Sequence, residues 1–465
     1  MKNLLLYSGA LDNTKEFIKF FYDLKGRHDL NIKILRSEIF PEGSLSIFEE
    51  IFFDKGIFHR NNYIKKLDLS EIDFLIVKKI LNDSNVQLLW TRFNIKSKYW
   101  KLNPLERYNL NYSLIISSIN LIKKSAFDEI LFLVYPHNLP IYIFWKVCEE
   151  LNIPTNYFDH SPLPWRSFVK SKEKIKINKN IKDTKYLYDI SKFIGEKEEL
   201  IPLPKNSPNY YLSNKYSKFL IDLFARFKVK LPLNYYNIYT LIMQYLVKKS
   251  YKKLISNRNK FLHKKYVVLF LHFQPEANTC PGGNIFAQQL IAIQYLNSAI
   301  KPLGIHLVIR EHPMIFKLHF NLTWRPRSFY NAIKNIDKDI YFDDFLQDAK
   351  TLINNSQLVA SVAGTVLIEA NAMGKPTVCF GNHSLKSLKE DYIIDEFEDS
   401  NDLRMKIKKA LSLDKTYIKK SIIFNLQKIY KKTFGSDKFV GSKNMDVTQF
   451  RKDKLSAIRE YFGFD

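Results

Sequence analysis

The chain has 465 residues, 46% of them hydrophobic, enough to fill two or three domains with sizeable cores and too apolar for a disordered polypeptide. Its formal net charge is +25, and no apolar run approaches the roughly 20 residues of a membrane span, so a basic cytoplasmic protein is expected. Cys148, Cys280 and Cys379 lie far apart without a CxxC pair, which supports neither a disulfide framework nor a zinc site.

The first residues, Met1-Lys-Asn-Leu-Leu-Leu-Tyr-Ser-Gly, hold too short an apolar run for a signal peptide and predict a first strand over Asn3 to Ser8. Glu129-Ile-Leu-Phe-Leu-Val-Tyr135 reads as a buried strand ending in Pro136-His137-Asn138. A helix follows through Trp145 and Glu150. Asn156-Tyr-Phe158 then starts a strand that ends in Asp159-His160-Ser161-Pro162. Residues 1–165 are thus expected to form an N-terminal α/β domain. His137, Asp159 and His160 are its candidates for acceptor binding or acid/base work, against the plainer reading of solvated loop polars.

Residues 166–262 are rich in lysine and tyrosine and lack clear strand alternation, so a mostly helical and irregular connection is expected. The lysines gather at Lys170 to Lys185 and Lys248 to Lys265 as loops and solvated helix faces. No ordered basic and aromatic array accompanies them, which sets nucleic acid aside in favour of an anionic acceptor or the anionic inner membrane surface.

Residues 263–400 alternate most clearly. Tyr266-Val-Val-Leu-Phe-Leu271 is a continuous apolar strand. A helical stretch Asn284 to Ile300, a strand Ile305 to Arg310, a helix Ser328 to Asn335, a strand Ile340 to Phe342 and a helix Phe345 to Asn354 follow. Strands Gln357 to Ser361 and Pro376 to Phe380 complete a doubly wound parallel pattern. Residues 401–465 read as amphipathic C-terminal helices. In such α/β sheets ligands bind at the carboxyl ends of the strands.

Three strand ends carry chemistry. Ser361 closes one strand, and Gly364-Thr365 then opens a short helix, whose free N–H groups favour an anion. Glu369, one turn on, suits the two hydroxyls of a ribose. Arg310-Glu311-His312-Pro313 ends another strand, with proline holding His312 out of helix and Arg310 able to add charge at a phosphate. His272-Phe-Gln-Pro-Glu276 ends a third, delivering Gln274 and Glu276. Each has a bland alternative: glycine punctuation, a surface His-Pro turn, a capping carboxylate. All three at one sheet edge are harder to assign to chance. GxGxxG, GxxxxGK[ST] and HExxH are absent. Asp337-Lys-Asp339 matches a DxD metal motif but precedes a strand, so a turn and no required metal are expected.

In order, Gln274-Pro-Glu276, Glu311-His-Pro313 and Gly-Thr-x-x-x-Glu-Ala-x-x-x-Gly-Lys-Pro from Gly364 to Pro376 resemble the bacterial capsule polysaccharide biosynthesis glycosyltransferases, which include enzymes that place Kdo on lipid termini. The His-Pro feature is also that of bacterial sialyltransferases, whose acidic-acidic-Gly motif is not found here. The resemblance covers about residues 263–385 and, more weakly, 129–166. It implies a GT-B architecture: two Rossmann-like domains facing across a cleft, with helical insertions and a helical C-terminal tail. It also implies that His312 and Pro313 meet the donor phosphate, Gly364 and Thr365 form the phosphate turn, Glu369 lies near the ribose, and Glu276 is catalytic. Arg310 stands where lysine is usual.

The function expected is therefore a metal-independent, cofactor-free glycosyltransferase of capsular or lipopolysaccharide-type assembly. Its donor would be a nucleotide sugar such as CMP-linked Kdo, its acceptor a glycan or lipid-linked glycan. The alternatives are a nucleotide-sugar 2-epimerase, a polyol-phosphate transferase, and a non-catalytic protein that binds anions or polysaccharide.

Overall fold

The computed structural model describes residues 2–7, 15–26, 30–36, 49–52, 70–92, 102–163, 166–171, 174–176, 235–316, 324–326, 328–435 and 447–463. The chain divides into two compact units. One comprises 1–90, 97–187 and 426–465, the other 91–96 and 188–425.

The first unit is built on β1 (Lys2–Tyr7), β2 (Leu30–Arg36), β3 (Glu49–Phe52), β4 (Glu129–Phe132), β5 (Thr155–His160), β6 (Arg166–Ser171) and β7 (Lys174–Ile175). Strands β3, β2, β1, β4 and β5 lie side by side in that order, all parallel. Strand β6 runs antiparallel to β5, and β7 antiparallel to β6. Leu4, Leu6, Ile34, Leu131, Leu133 and Phe158 fill the core against the helix Lys15–Lys25. The helix Pro104–Ser125 starts where it does because Asn103 and Glu106 form a reciprocal capping box and Pro104 needs no N–H partner at the first turn.

The second unit holds β8 (Tyr266–Phe270), β9 (His306–Arg310), β10 (Tyr341–Asp343), β11 (Leu358–Ser361), β12 (Thr377–Cys379) and β13 (Ile393–Ile394). Their spatial order is β10-β9-β8-β11-β12-β13, every pair parallel. Numbered from the unit's first strand, this is 3-2-1-4-5-6, the doubly wound order of dinucleotide-binding folds. Strand β8 is buried along nearly its whole length, which is why its residues are apolar without alternation.

The tail crosses back. The helix Lys415–Tyr430 leaves the second unit, and β14 (Thr433–Gly435) pairs antiparallel with β6. Arg166 clamps this return: its buried guanidinium donates to Thr433 Oγ1 at 2.8 Å, the Thr433 carbonyl at 2.6 Å and the Gly435 carbonyl at 2.9 Å. It also stacks over the Tyr430 ring at 3.9 Å. The helix Val447–Tyr461 then lays Ala457 and Ile458 into the first unit's core.

The sequence expectation for the start of the 166–262 region was wrong in kind. Arg166–Ser171 is a strand because antiparallel pairing with β5 buries a segment too short to show a period, and Lys174–Ile175 is a short strand paired with it. The expected helix Phe345 to Asn354 begins later, at Ala349, where the Asp348 carboxylate caps the N–H groups of Lys350 and Thr351. Part of the connecting region, 177–234, lies outside the described residues. No helix among the described residues is long and apolar enough to cross a membrane.

Candidate functional site

In the second unit the strand order reverses between β8 and β11, and ligands of open α/β sheets bind at such a point, outside the carboxyl ends. The loops that leave β8, β9 and β11 are the ones that carry the sequence candidates.

After β11, Ser361 is buried. Its hydroxyl donates to the Phe270 carbonyl at 3.1 Å and accepts the Gly364 N–H at 3.3 Å. Ser361 thus shapes the turn from behind rather than facing a ligand. A Cβ on Gly364 would meet that hydroxyl at 2.9 Å, so a larger residue there would have to displace the Ser361 side chain. Thr365 is exposed and makes no side-chain capping bond; the helix it opens, Val366–Ala372, has seven residues, and Glu369 is half-buried on it. The turn is braced from the neighbouring strand end. Gly381 donates to the Val362 carbonyl at 2.7 Å, and Asn382 donates to the Gly282 carbonyl at 2.7 Å.

After β9, His312 leads into the short turn Pro313–Phe316, with Ile315 donating to the His312 carbonyl at 3.1 Å. The ring lies 5.8 Å from that of Phe273. Burial first, then the neighbouring His272 and Arg325, push the imidazole down to about 4, so it is neutral at pH 7. A neutral imidazole can still donate one N–H to a phosphate oxygen.

After β8, His272 Nδ1 lies 2.9 Å from the Phe273 carbonyl and 3.5 Å from Glu276 Oε2. Glu276 is partly exposed, its side chain at 45%. Gln289 holds the backbone of His272 from both sides, accepting its N–H and donating to its carbonyl at 2.9 Å each.

Two of the expected donor contacts are spent elsewhere. The Arg310 guanidinium is buried against Asp343 Oδ2 at 2.5 Å and the carbonyls of Asp344, Phe345 and Gln347. Its charge neutralises Asp343 inside the sheet instead of reaching the edge. Gln274 is fully buried, donating to the Ala287 carbonyl and accepting from Arg325 Nη1 at 2.8 Å. Asp337-Lys-Asp339 forms a turn before β10, with Asp337 accepting from Lys301 at 2.6 Å and from Asn297 at 3.2 Å.

Sequence reasoning missed the residues that tie these loops together. Glu311 is 1% exposed. Its carboxylate accepts from Arg325 Nε, from the Tyr330 hydroxyl and from the His312 N–H, each at 2.9 Å. Arg325, also 1% exposed, adds a 3.4 Å contact to the His272 carbonyl and stacks over Phe329. A charged residue inside the Arg-Glu-His-Pro motif was the available signal, since such groups are buried only with a partner.

In the first unit, His137, Asp159 and His160 come to the carboxyl edge of adjacent strands β4 and β5. His137 Nδ1 donates to the Tyr135 carbonyl at 2.6 Å. Asp159 accepts from Lys170 at 2.6 Å and from the His160 N–H at 2.9 Å. Lys454, from the tail helix, joins this edge: its buried ammonium lies 3.4 Å from the Leu133 carbonyl. Burial pushes that amine down to about 8, with Asp159 opposing.

Two Rossmann-like units in one chain, with a C-terminal segment returning to the first, define the GT-B-like class. No protein-family model matches the chain. No curated protein matches it in sequence. Among solved structures it is similar to the Anabaena HepE protein in complex with UDP and glucose, at 12% identity over all of both chains with a TM-score of 0.32. It is similar also to a UDP-forming trehalose-phosphate synthase from Burkholderia xenovorans, at 9% identity over 99% of this chain and 98% of that one, TM-score 0.32. A third is the UDP-GlcNAc 2-epimerase of Neisseria meningitidis bound to UDP-GlcNAc, at 13% identity over 93% and 100%, TM-score 0.22.

Proposed function

We propose that the protein is a glycosyltransferase that binds a nucleotide-activated sugar at the carboxyl edge of its second unit. The observation that carries this reading is the gathering of His312, the His272–Glu276 pair and the Gly364–Thr365 turn with Glu369 around the reversal of a 3-2-1-4-5-6 sheet. The turn and His312 would stabilise the departing phosphate, and Glu369 would hold the ribose. Glu276, partly exposed beside His272, is the candidate to work at the sugar or acceptor. His137, Asp159 and His160 are the candidate acceptor-side groups. The resemblance to capsule glycosyltransferases favours a CMP-linked acid sugar such as Kdo, a lipid-linked acceptor presented at the anionic inner membrane, and surface polysaccharide as the product. The net charge of +25 suits that surface. Protein groups supply the leaving-group stabilisation, so no metal is required.

A second reading, a nucleotide-sugar 2-epimerase, is favoured by one observation. His272 and Glu276 lie 3.5 Å apart at the strand end and form a ready acid/base pair. The test is turnover of CMP- and UDP-sugars in EDTA, with and without a glycan acceptor. Transfer that needs acceptor supports the glycosyltransferase. Sugar isomerisation without acceptor supports the epimerase. Full activity in His312→Ala, or dependence on added divalent metal, contradicts the proposed leaving-group chemistry.

A further inference from the structure

We propose that Arg325 is a positioning residue of this site, whose guanidinium bridges the loops leaving β8 and β9 and so fixes His272 and His312 relative to each other. The inference rests on the nucleotide-sugar reading of the site. One guanidinium reaches Gln274 Oε1 at 2.8 Å and the His272 carbonyl at 3.4 Å on the β8 side, and Glu311 Oε2 at 2.9 Å on the β9 side. Glu311 passes the constraint on, because its other oxygen accepts the N–H of His312 at 2.9 Å. Gln274 anchors the far end to the Ala287 carbonyl.

A buried ion pair is a poor explanation for stability alone. Apolar residues of equal volume commonly do as well. What an apolar pair cannot do is hold acceptors on two loops at once, as a guanidinium fork does. The pair is nearly inaccessible, at 1% and 0% side-chain exposure, so a ligand-binding role for Arg325 itself is not available. It acts through the two histidines that flank it.

The experiment compares wild type with Arg325→Lys, which keeps the charge beside Glu311 but loses the fork, and with the double variant Glu311→Gln/Arg325→Met, which leaves no unpaired buried charge. For each folded protein, steady-state turnover of the nucleotide sugar is measured, and the His312 ring is titrated by NMR without nucleotide. We expect kcat to fall about 10- to 100-fold in both variants with KM changed much less, as for a misplaced group near the reacting bond. Arg325→Lys keeps the positive charge beside Glu311, so a His312 titration that moves in that variant reports a displaced ring rather than a lost charge. Wild-type kcat together with an unmoved His312 titration in either folded variant overturns the proposal and leaves the nucleotide-sugar reading intact. Absence of turnover and of CMP or UDP binding in the wild type overturns that reading instead, while the His312 titration still reports whether Arg325 couples the loops.

Discussion

The two units carry the same core sheet, five parallel strands ordered 3-2-1-4-5, yet they finish their carboxyl edges differently. In the second unit every described strand is parallel, and the edge is backed by ion pairs with buried carboxylates: Arg325 with Glu311, and Arg310 and the partly buried Arg258 with Asp343. In the first, antiparallel β6 and the returning β14 extend the sheet, and the edge carries Asp159, Lys170, His137 and His160 with partial exposure. Repetition of a topology therefore does not repeat a site. The loops at the second edge are tied together by buried, hydrogen-bonded ion pairs, the arrangement the proposed leaving-group role would require. At the first, the tail helix adds the buried Lys454 beside the Leu133 carbonyl.

That contrast is open to attack by substitution. Arg325→Ala leaves the Glu311 carboxylate buried and unpaired and is expected to cost about 3–5 kcal/mol in denaturant unfolding. Its counterpart, Arg166→Ala, strips donors from a hydroxyl and two carbonyls, with Glu460 only at 4.0 Å, so about 2 kcal/mol is expected. Equal costs in the two units would erase the difference drawn between their edges.

His312 supplies a pH test. Its folded pKa, about 4, lies below the usual 6.5, so between those values the unfolded state binds the extra proton. The stability it contributes is fully present above pH 6.5 and is lost as pH falls toward 4. The loss is on the order of 3 kcal/mol for a shift of this size. Unfolding measured from pH 7 down to 4.5 should fall more steeply in wild type than in His312→Ala; parallel curves would remove His312 from its buried setting.

Smaller effects follow at the turn and at the first unit's edge. A Cβ on Gly381 would sit 2.8 Å from both Val362 Cγ1 and the Val362 carbonyl, so Gly381→Ala should cost about 1–3 kcal/mol and weaken nucleotide binding through the 361–365 turn. Lys170→Ala removes one ion pair with Asp159 and should cost about 1 kcal/mol while shifting acceptor KM rather than donor affinity.

Much of this frame was readable before any coordinates. Strand β8 announces itself as an unbroken apolar run and β9 and β11 as short apolar segments between helices; His312 and Gly364 follow the ends of β9 and β11, and Glu369 lies on the helix after β11. The buried network was not readable. Arg325 pairs with Glu311 14 residues away and with Gln274 51 residues away, separations that no period encodes. For the same reason Arg310 looked like a phosphate ligand until Asp343, on a neighbouring strand, claimed it. Strands β6 and β14 also escaped notice, since each is defined by its partner rather than by its own composition.

The nucleotide site proposed at the second unit's carboxyl edge is open to a direct binding test. Isothermal titration calorimetry with CMP and UDP on wild type and Glu369→Ala tests it most directly. Saturable binding of one of them by wild type is expected, weakened at least about tenfold, or roughly 1.4 kcal/mol, in Glu369→Ala. Absence of binding by wild type, or equal affinity in both proteins, would contradict it.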